Sequence, residues 1–281
     1  MSSRVAIVTD STACVPPPLA ARFGIRVVQL QLRVGDHLDD EARIAPSTLA
    51  DALRGNTDVA TAPPEVGAFF WAYQDAIAQG AQVIVSLHIS SRLSETCTAA
   101  KEAAVAVDAP VHVLDSGTTG MSLGFAVLAA ARVAAQGGTP RQVVAMAGVR
   151  IARSTELIHV ESLDYLRRGG RIGAAQHLVG SALSVKPLLT VRKGEVAPLD
   201  RTMGADRAVR KLVDRAVTVA NDRPVDLAVE SFGPDDRVQE IVDELRKRLP
   251  SAQATMRVPV SAIIGAHVGP GALGITISPA T

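Results

Sequence analysis

The chain has 281 residues, 47% hydrophobic and 20% charged, a globular composition with enough apolar material for one large domain or two modest ones. Its 29 Lys and Arg against 28 Asp and Glu leave a net charge of +1, so nothing draws the molecule as a whole to a nucleic-acid backbone or an anionic membrane. Aromatics make up 3%, too few for base-stacking platforms, and the core must be aliphatic.

The opening Met1-Ser2-Ser3-Arg4, followed by the short run Val5 to Val8, has neither the apolar length nor the cleavage site of a secretory signal. Arg4 to Thr9 reads as a first strand, turning at Asp10-Ser11-Thr12, and Pro16-Pro17-Pro18 opens a helix. Val27 to Val34 reads as a second strand, and Pro46-Ser47-Thr48 opens a helix to about Leu53. Val66 to Gln79 is helical, with Phe69, Phe70 and Tyr73 spaced along one face. Gln82 to His88 is a buried strand, Ser94 to Val107 an Ala-rich helix and Val111 to Asp115 a strand. Ser122 to Gln136 is another Ala-rich helix, stopped by Gly137-Gly138. The longest nearly apolar stretch, Gly120 to Ala131, ends at Arg132, short of the roughly 20 residues of a membrane span.

The second half changes pattern. Leu157 to Glu161 reads as a strand, Leu163 to Arg168 as a short helix ended by Gly169-Gly170, and Ala174 to Ser184 as a further helical stretch. Lys186 to Val191 and Val196 to Thr202 flank Arg192-Lys193-Gly194-Glu195 as a hairpin. Amphipathic helices over Ala205–Ala220 and Asp235–Leu249 bracket a strand at Asp226 to Ser231, and Thr255 to Val260 and Ala272 to Ser278 close the chain. The fold class is α/β: a mainly parallel sheet with helices over residues 1–150, then an α+β mixed-sheet domain over 151–281. Cys14 and Cys97 form neither a CxxC pair nor a metal spacing, and reduced thiols in a soluble cytoplasmic protein are the expectation.

Most enzyme signatures are missing from the sequence: there is no phosphate-binding GxxxxGK[ST], no GxGxxG after the first strand, no HExxH and no clustered metal ligands. Gly120-Met121-Ser122-Leu123-Gly124 does match GxSxG, and a serine esterase using Ser122 with His159, His177 or His267 is the alternative function. Against it, several residues separate Asp115 from Ser122, where a nucleophile elbow needs the serine at the strand tip.

Hydroxyls are dense just past strand ends: Thr9, Ser11 and Thr12; Ser90, Ser91, Ser94 and Thr96; Ser116, Thr118, Thr119 and Ser122. Each cluster alone reads as helix capping. Converging on one sheet edge, where helix N-termini also point, they suit a small anionic head group. Gly169-Gly170-Arg171 reads locally as a helix C-cap and Gly269-Pro270-Gly271 as a tight turn; His267 alone reads as structural, and Arg167, Arg168, Arg171 and Arg201 as a solvated face.

Taken in order, these pieces resemble the DegV family. The resemblance rests on Thr9-Asp10-Ser11-Thr12-Ala13, Ser90-Ser91-Arg92-Leu93-Ser94, and Asp115-Ser116 with Met121-Ser122-Leu123-Gly124. It continues through Leu163-Asp164-Tyr165-Leu166 with Gly169-Gly170-Arg171-Ile172, Lys186-Pro187-Leu188-Leu189 and His267-Val268-Gly269-Pro270-Gly271. It implies a two-domain α/β protein with a lipid tunnel between the domains for one long-chain fatty acid such as palmitate, stearate or oleate, and no cofactor. It further implies a carrier without catalytic machinery of its own. Such a carrier presents the acyl carboxylate to the catalytic subunit of a fatty acid kinase, which makes acyl phosphate for phospholipid synthesis, and it leaves room for transient membrane contact.

On the family pattern Thr61 and Ser94 match the carboxylate-holding hydroxyls, and His267 the histidine near the head group. Ser122 and Arg171 join them as ligand-binding residues, and Arg201 falls on the kinase-facing surface. Two departures stand out: Thr-Ser-Gln-Pro becomes Thr61-Ala62-Pro63-Pro64, and Ser-Gly-Thr becomes Ser94-Glu95-Thr96. An inward Glu95 would repel a carboxylate, whereas an outward one is a favourable first-turn acid, the orientation expected here. A sixteen-carbon chain brings roughly 11 kcal/mol of burial at about 0.8 kcal/mol per CH₂, so an aliphatic tunnel with modest polar help suffices.

Overall fold

The computed structural model describes residues 4–178, 185–233 and 236–280. In chain order the first elements are β1 (Val5–Asp10), α1 (Pro17–Phe23), β2 (Arg26–Val28), β3 (Gln31–Val34), β4 (His37–Asp40), α2 (Pro46–Arg54) and β5 (Val59–Ala62). They are followed by α3 (Val66–Ala78), β6 (Val83–His88), α4 (Thr96–Val105), β7 (Val111–Asp115), α5 (Gly120–Ala135) and α6 (Pro140–Arg153). Then come β8 (Thr155–His159), α7 (Asp164–Arg168), β9 (Val185–Arg192), β10 (Glu195–Met203) and α8 (Ala205–Ala220). The last are β11 (Val225–Ser231), α9 (Arg237–Arg248), β12 (Ala254–Pro259), α10 (Ala262–Val268) and β13 (Leu273–Pro279). Of the helical stretch expected over 174–184, residues 173–178 form a 3-10 turn and 179–184 lie outside the described residues, as does Asp235 at the expected start of α9.

The chain divides into two compact units, and the division is discontinuous: Met1–Gln31 joins Ala62–Ala152, while Leu32–Thr61 joins Arg153–Thr281. The single boundary expected near residue 150 accounts for one of these crossings; the excursion over 32–61 has no compositional mark. The strand expected over 27–34 is accordingly two strands in two sheets, β2 and β3. Between them the Leu30 amide leaves the ladder and donates to Ser11 Oγ at 3.1 Å.

In the first unit the sheet runs β2-β1-β6-β7, all parallel. Apolar residues at helical spacing, Phe69, Tyr73 and Ala76 of α3 with Ala99, Ala100 and Ala103 of α4, pack on Val8, Val28 and Ile84 of the sheet. Helix α5 is buried on every side from Gly120 to Ala131, so its lack of amphipathic pattern reflects complete enclosure. Gly124 is required there, because a Cβ would stand 2.3 Å from the Ala13 carbonyl oxygen. Cys14 and Cys97 are both buried free thiols, and burial pushes the Cys97 thiol up to about 12. No helix among the described residues is long and apolar enough to cross a membrane.

In the second unit a six-stranded sheet runs β10-β9-β8-β13-β11-β12, antiparallel throughout except for the β11–β12 pair. That parallel pair is joined by α9, the crossover a parallel connection demands. Ala208, Leu212 and Ala216 of α8 and Val238, Ile241 and Leu245 of α9 form the apolar stripes that seal against Leu227, Val229 and Ile275. Fully buried Leu212 and Leu245 each contribute roughly 2 kcal/mol by leaving water. The excursion adds a small sheet, β4-β3-β5, which carries Thr61 at the end of its last strand.

Candidate functional site

The three hydroxyl clusters of the first unit do lie at the carboxyl ends of neighbouring strands, but most of those hydroxyls are consumed locally. Asp10 organises the edge: its carboxylate accepts from Thr12 N at 3.0 Å, from Thr12 Oγ1, from His88 Nδ1 at 3.0 Å and from Ile89 N at 3.0 Å. The His88 Nε2 to Ser86 Oγ contact of 2.7 Å and the Ser86 Oγ to Tyr73 OH contact of 2.9 Å extend this chain inward. Asp10, His88 and Ser86 thus share the connectivity of a hydrolase triad, yet all three are 0% exposed and the serine is already engaged by a tyrosine, which makes the chain a structural brace. Ser91 bonds Asp115, and Ser116 bonds the Thr118 backbone. These bonds are the local, capping-type contacts of the clusters.

Ser94 Oγ pairs with Thr96 Oγ1 at 2.8 Å at the entry to α4. Glu95 caps α4 through its backbone, its carbonyl accepting Thr98 N at 2.9 Å, and is exposed, in keeping with the outward orientation. Ser122 lies in the first turn of α5, 2% exposed, and its hydroxyl has no hydrogen-bond partner among the described residues; the same holds for Thr119. A nucleophilic serine needs a base within hydrogen-bond reach, and among the described residues Ser122 has none.

The second unit brings three predicted residues together. Thr61 Oγ1 lies 2.8 Å from His267 Nε2 although 206 residues separate them. Both line a cavity of about 550 Å³ whose rim carries Arg171, Arg168 and Tyr165. His267 sits in the last turn of α10, a helix absent from the sequence reading, which has only the turn Gly269-Pro270-Gly271 before the final strand. Two caps fix that helix: Ser261 Oγ accepts from Ile264 N at 3.3 Å, and Glu41 Oε2 from Ile263 N at 3.1 Å. Ser261 followed by an apolar run was the available signal; Glu41 comes from the excursion and had none. After α10, Gly269 takes φ +78°, and a Cβ there would stand 2.1 Å from the Tyr165 ring. Only glycine meets both demands.

His267 is poised as a neutral donor. Burial, and then the charge of nearby Arg171, lower its pKa from 6.5 to about 4. Nδ1 is enclosed without an acceptor among the described residues, so a proton there would be buried unpaired; the hydrogen is therefore assigned to Nε2, which donates to Thr61 Oγ1. The Thr61 O–H is left to donate into the cavity. Arg171 itself is held by donating from Nη1 to the Gly169 carbonyl at 2.7 Å, and Gly169-Gly170 close α7 with the Arg171 amide reaching back to the Leu166 carbonyl at 2.9 Å. The C-cap reading of Gly169-Gly170-Arg171 holds, and Arg171 also lines the cavity.

Arg201, on β10, is exposed and lies beside a basic face. Lys211 pairs with Asp200 at 2.7 Å and donates to the Arg201 carbonyl at 3.4 Å, while Arg207 and Arg210 of α8 are exposed. No group of His, Cys, Asp and Glu among the described residues could hold a metal ion.

Comparison with known proteins fits this geometry. A DegV domain-containing protein of Streptomyces coelicolor is 44% identical over 279 residues, 99% of each chain. A DegV family protein from Thermus thermophilus, described for its fatty acid binding, has the same fold with a TM-score of 0.90 and 29% identity, covering 99% of this chain and 100% of its own. DegV of Bacillus subtilis, described as a fatty acid binding protein, gives a TM-score of 0.87 and 26% identity over 99% of this chain and 100% of its own. The family model described as "Uncharacterised protein, DegV family" matches residues 4–280, so fold, sequence and the motifs from Thr9 to Gly271 agree that the chain belongs to the DegV family.

Proposed function

We propose that this protein holds one long-chain fatty acid, such as palmitate, stearate or oleate, and presents its carboxylate to a separate ATP-dependent kinase subunit without performing catalysis itself. The observation that carries the reading is the Thr61–His267 pair: two neutral donors in series, opening on a cavity with a guanidinium at its rim. Such a pair stabilises a carboxylate by hydrogen bonding to the charged form without burying a compensating cation. Fatty acid binding by the relatives from Thermus thermophilus and Bacillus subtilis supports the ligand class. Arg171 adds positive potential, and Ser94 and Ser122 of the first unit are proposed as further ligand contacts.

On the kinase, a carboxylate oxygen attacks the γ-phosphorus of ATP; the new O–P bond replaces the β,γ-bridging bond and ADP leaves, giving acyl phosphate. Arg201, with Arg207 and Arg210, is the proposed docking face for an acidic surface of that subunit. We place the protein in the cytoplasm, with membrane contact confined to ligand exchange and no role with nucleic acid.

Reconstitution tests this. The protein loaded with palmitate, mixed with a fatty acid kinase catalytic subunit and γ-labelled ATP, is expected to yield labelled acyl phosphate. Arg201→Glu is expected to abolish labelling while palmitate affinity stays within twofold. Labelling that proceeds equally without this protein would contradict the reading.

A further inference from the structure

The excursion over 32–61 grips α10 at both ends. At the amino end Glu41, 6% exposed, accepts through Oε2 from Ile263 N at 3.1 Å. At the carboxyl end Thr61, the last residue of the excursion, meets His267 Nε2 at 2.8 Å. The helix between them has seven residues, too few to be stable by itself, so its place is set by what holds it. Aromatic rings hold it sideways: a Cβ on Gly265 would stand 2.4 Å from the Phe232 ring, and one on Gly269 2.1 Å from the Tyr165 ring. Along its axis the hold is at the first turn, where unpaired amides attract a carboxylate and bond it with charge assistance.

The two caps at that turn do different work. Ser261 immediately precedes α10, so its 3.3 Å bond from Ile264 N shapes the turn without fixing where the helix stands. Glu41 belongs to the excursion that also carries Thr61, so its bond sets the position of α10 relative to Thr61. A displacement of about 1 Å would undo the 2.8 Å contact, because such bonds weaken beyond about 3.2 Å. We propose that Glu41 is a positioning residue for the Thr61–His267 pair: it holds the amino end of α10 to the excursion and thereby sets the alignment on which fatty acid affinity depends. Glu41 is not among the residues lining the cavity, so it acts through the helix and not on the ligand. The inference rests on the fatty-acid reading above and adds a determinant of affinity remote from the ligand.

The test reads His267 directly. Imidazole resonances of the ligand-free protein, carrying isotope-labelled histidine, and calorimetric titration with palmitate are compared in wild type, Glu41→Gln and Glu41→Ala. Glutamine keeps an acceptor oxygen at the same reach and is expected to retain the His267 resonances and to bind palmitate within about twofold of wild type. Alanine is expected to move the His267 resonances towards those of a water-exposed imidazole and to weaken palmitate binding by about tenfold or more. In a His267→Gln background the same Glu41→Ala change is expected to alter affinity by less than about twofold, a coupling that a general loosening of the fold does not produce. Should Glu41→Ala not fold, Glu41→Asp, which keeps the charge and withdraws the oxygens by one methylene, is expected to shift resonances and affinity in the same directions. Unmoved His267 resonances in the folded variant, or equal losses of affinity with and without His267, would overturn the positioning role and leave the fatty-acid reading standing. Palmitate failing to bind wild type would overturn the fatty-acid reading, while the resonances of the ligand-free protein still decide whether Glu41 positions His267.

Discussion

Nδ1 of His267 lies against Gly169 so closely that a Cβ on that glycine would stand 2.1 Å away. Gly169 has an ordinary φ of −77°, so alanine there meets no φ strain; its Cβ meets the imidazole ring first, and the Tyr165 carbonyl oxygen at 3.3 Å. Gly169→Ala is expected to push the ring from Thr61, cut fatty acid affinity by about tenfold or more and cost about 1–3 kcal/mol of stability. Gly170→Ala is the control: φ is +70° and nothing lies within 4 Å of its Cβ, so it costs about 1 kcal/mol and spares binding. Chemical denaturation and titration with a fluorescent fatty acid read both.

The same histidine sets a pH dependence. Its folded pKa is lowered by burial and Arg171 from 6.5 to about 4, so between those values the unfolded chain binds more protons than the folded one. The stability associated with neutral His267 is therefore complete above pH 6.5, declines as the pH falls towards 4 and stays flat below. Urea midpoints measured from pH 7 to pH 4 should fall further for wild type than for His267→Gln, which cannot titrate. Parallel declines would show that the ring is not enclosed as described.

Asp10 braces the first unit. Asp10→Ala would orphan the Thr12 and Ile89 amides and His88 Nδ1, all buried, and is expected to cost about 3–5 kcal/mol in chemical denaturation. Asp10→Asn keeps one acceptor oxygen and should lose less. A loss under about 1 kcal/mol in the alanine variant would mean that other acceptors take over those donors.

Ser122 offers a test that separates carrier from esterase. Its buried hydroxyl makes no hydrogen bond among the described residues, so Ser122→Ala should leave the stability of the ligand-free protein unchanged or raise it, by up to about 1–3 kcal/mol of relieved desolvation, with the thermal midpoint unchanged or higher. Hydrolysis of p-nitrophenyl esters should be absent from wild type and variant alike. Turnover abolished by the substitution would restore the hydrolase reading.

How far the sequence revealed this architecture depended on whether a signal was local. Periodicity located α3, α8 and β7 nearly to the residue, because each carries its own apolar face or run. It did not separate β2 from β3, since Val27 to Val34 is uniformly strand-prone and the break is set by a tertiary bond from Leu30 to Ser11. The excursion over 32–61 and the Glu41 cap on α10 were illegible for the same reason: Glu41 acts on a helix 222 residues away. Thr61, His267 and Arg171 were named from motif resemblance, whereas Arg168 reads in sequence as one more solvated cation, and its contacts with Asn56 and Tyr165 come only from the fold.

The claim that this protein carries a fatty acid is tested most directly by native mass spectrometry of the purified protein, followed by denaturation and organic extraction. The account predicts one stoichiometric long-chain fatty acid in the extract, or stoichiometric uptake of added palmitate or oleate by stripped protein. A protein that is empty as purified and takes up neither would contradict it.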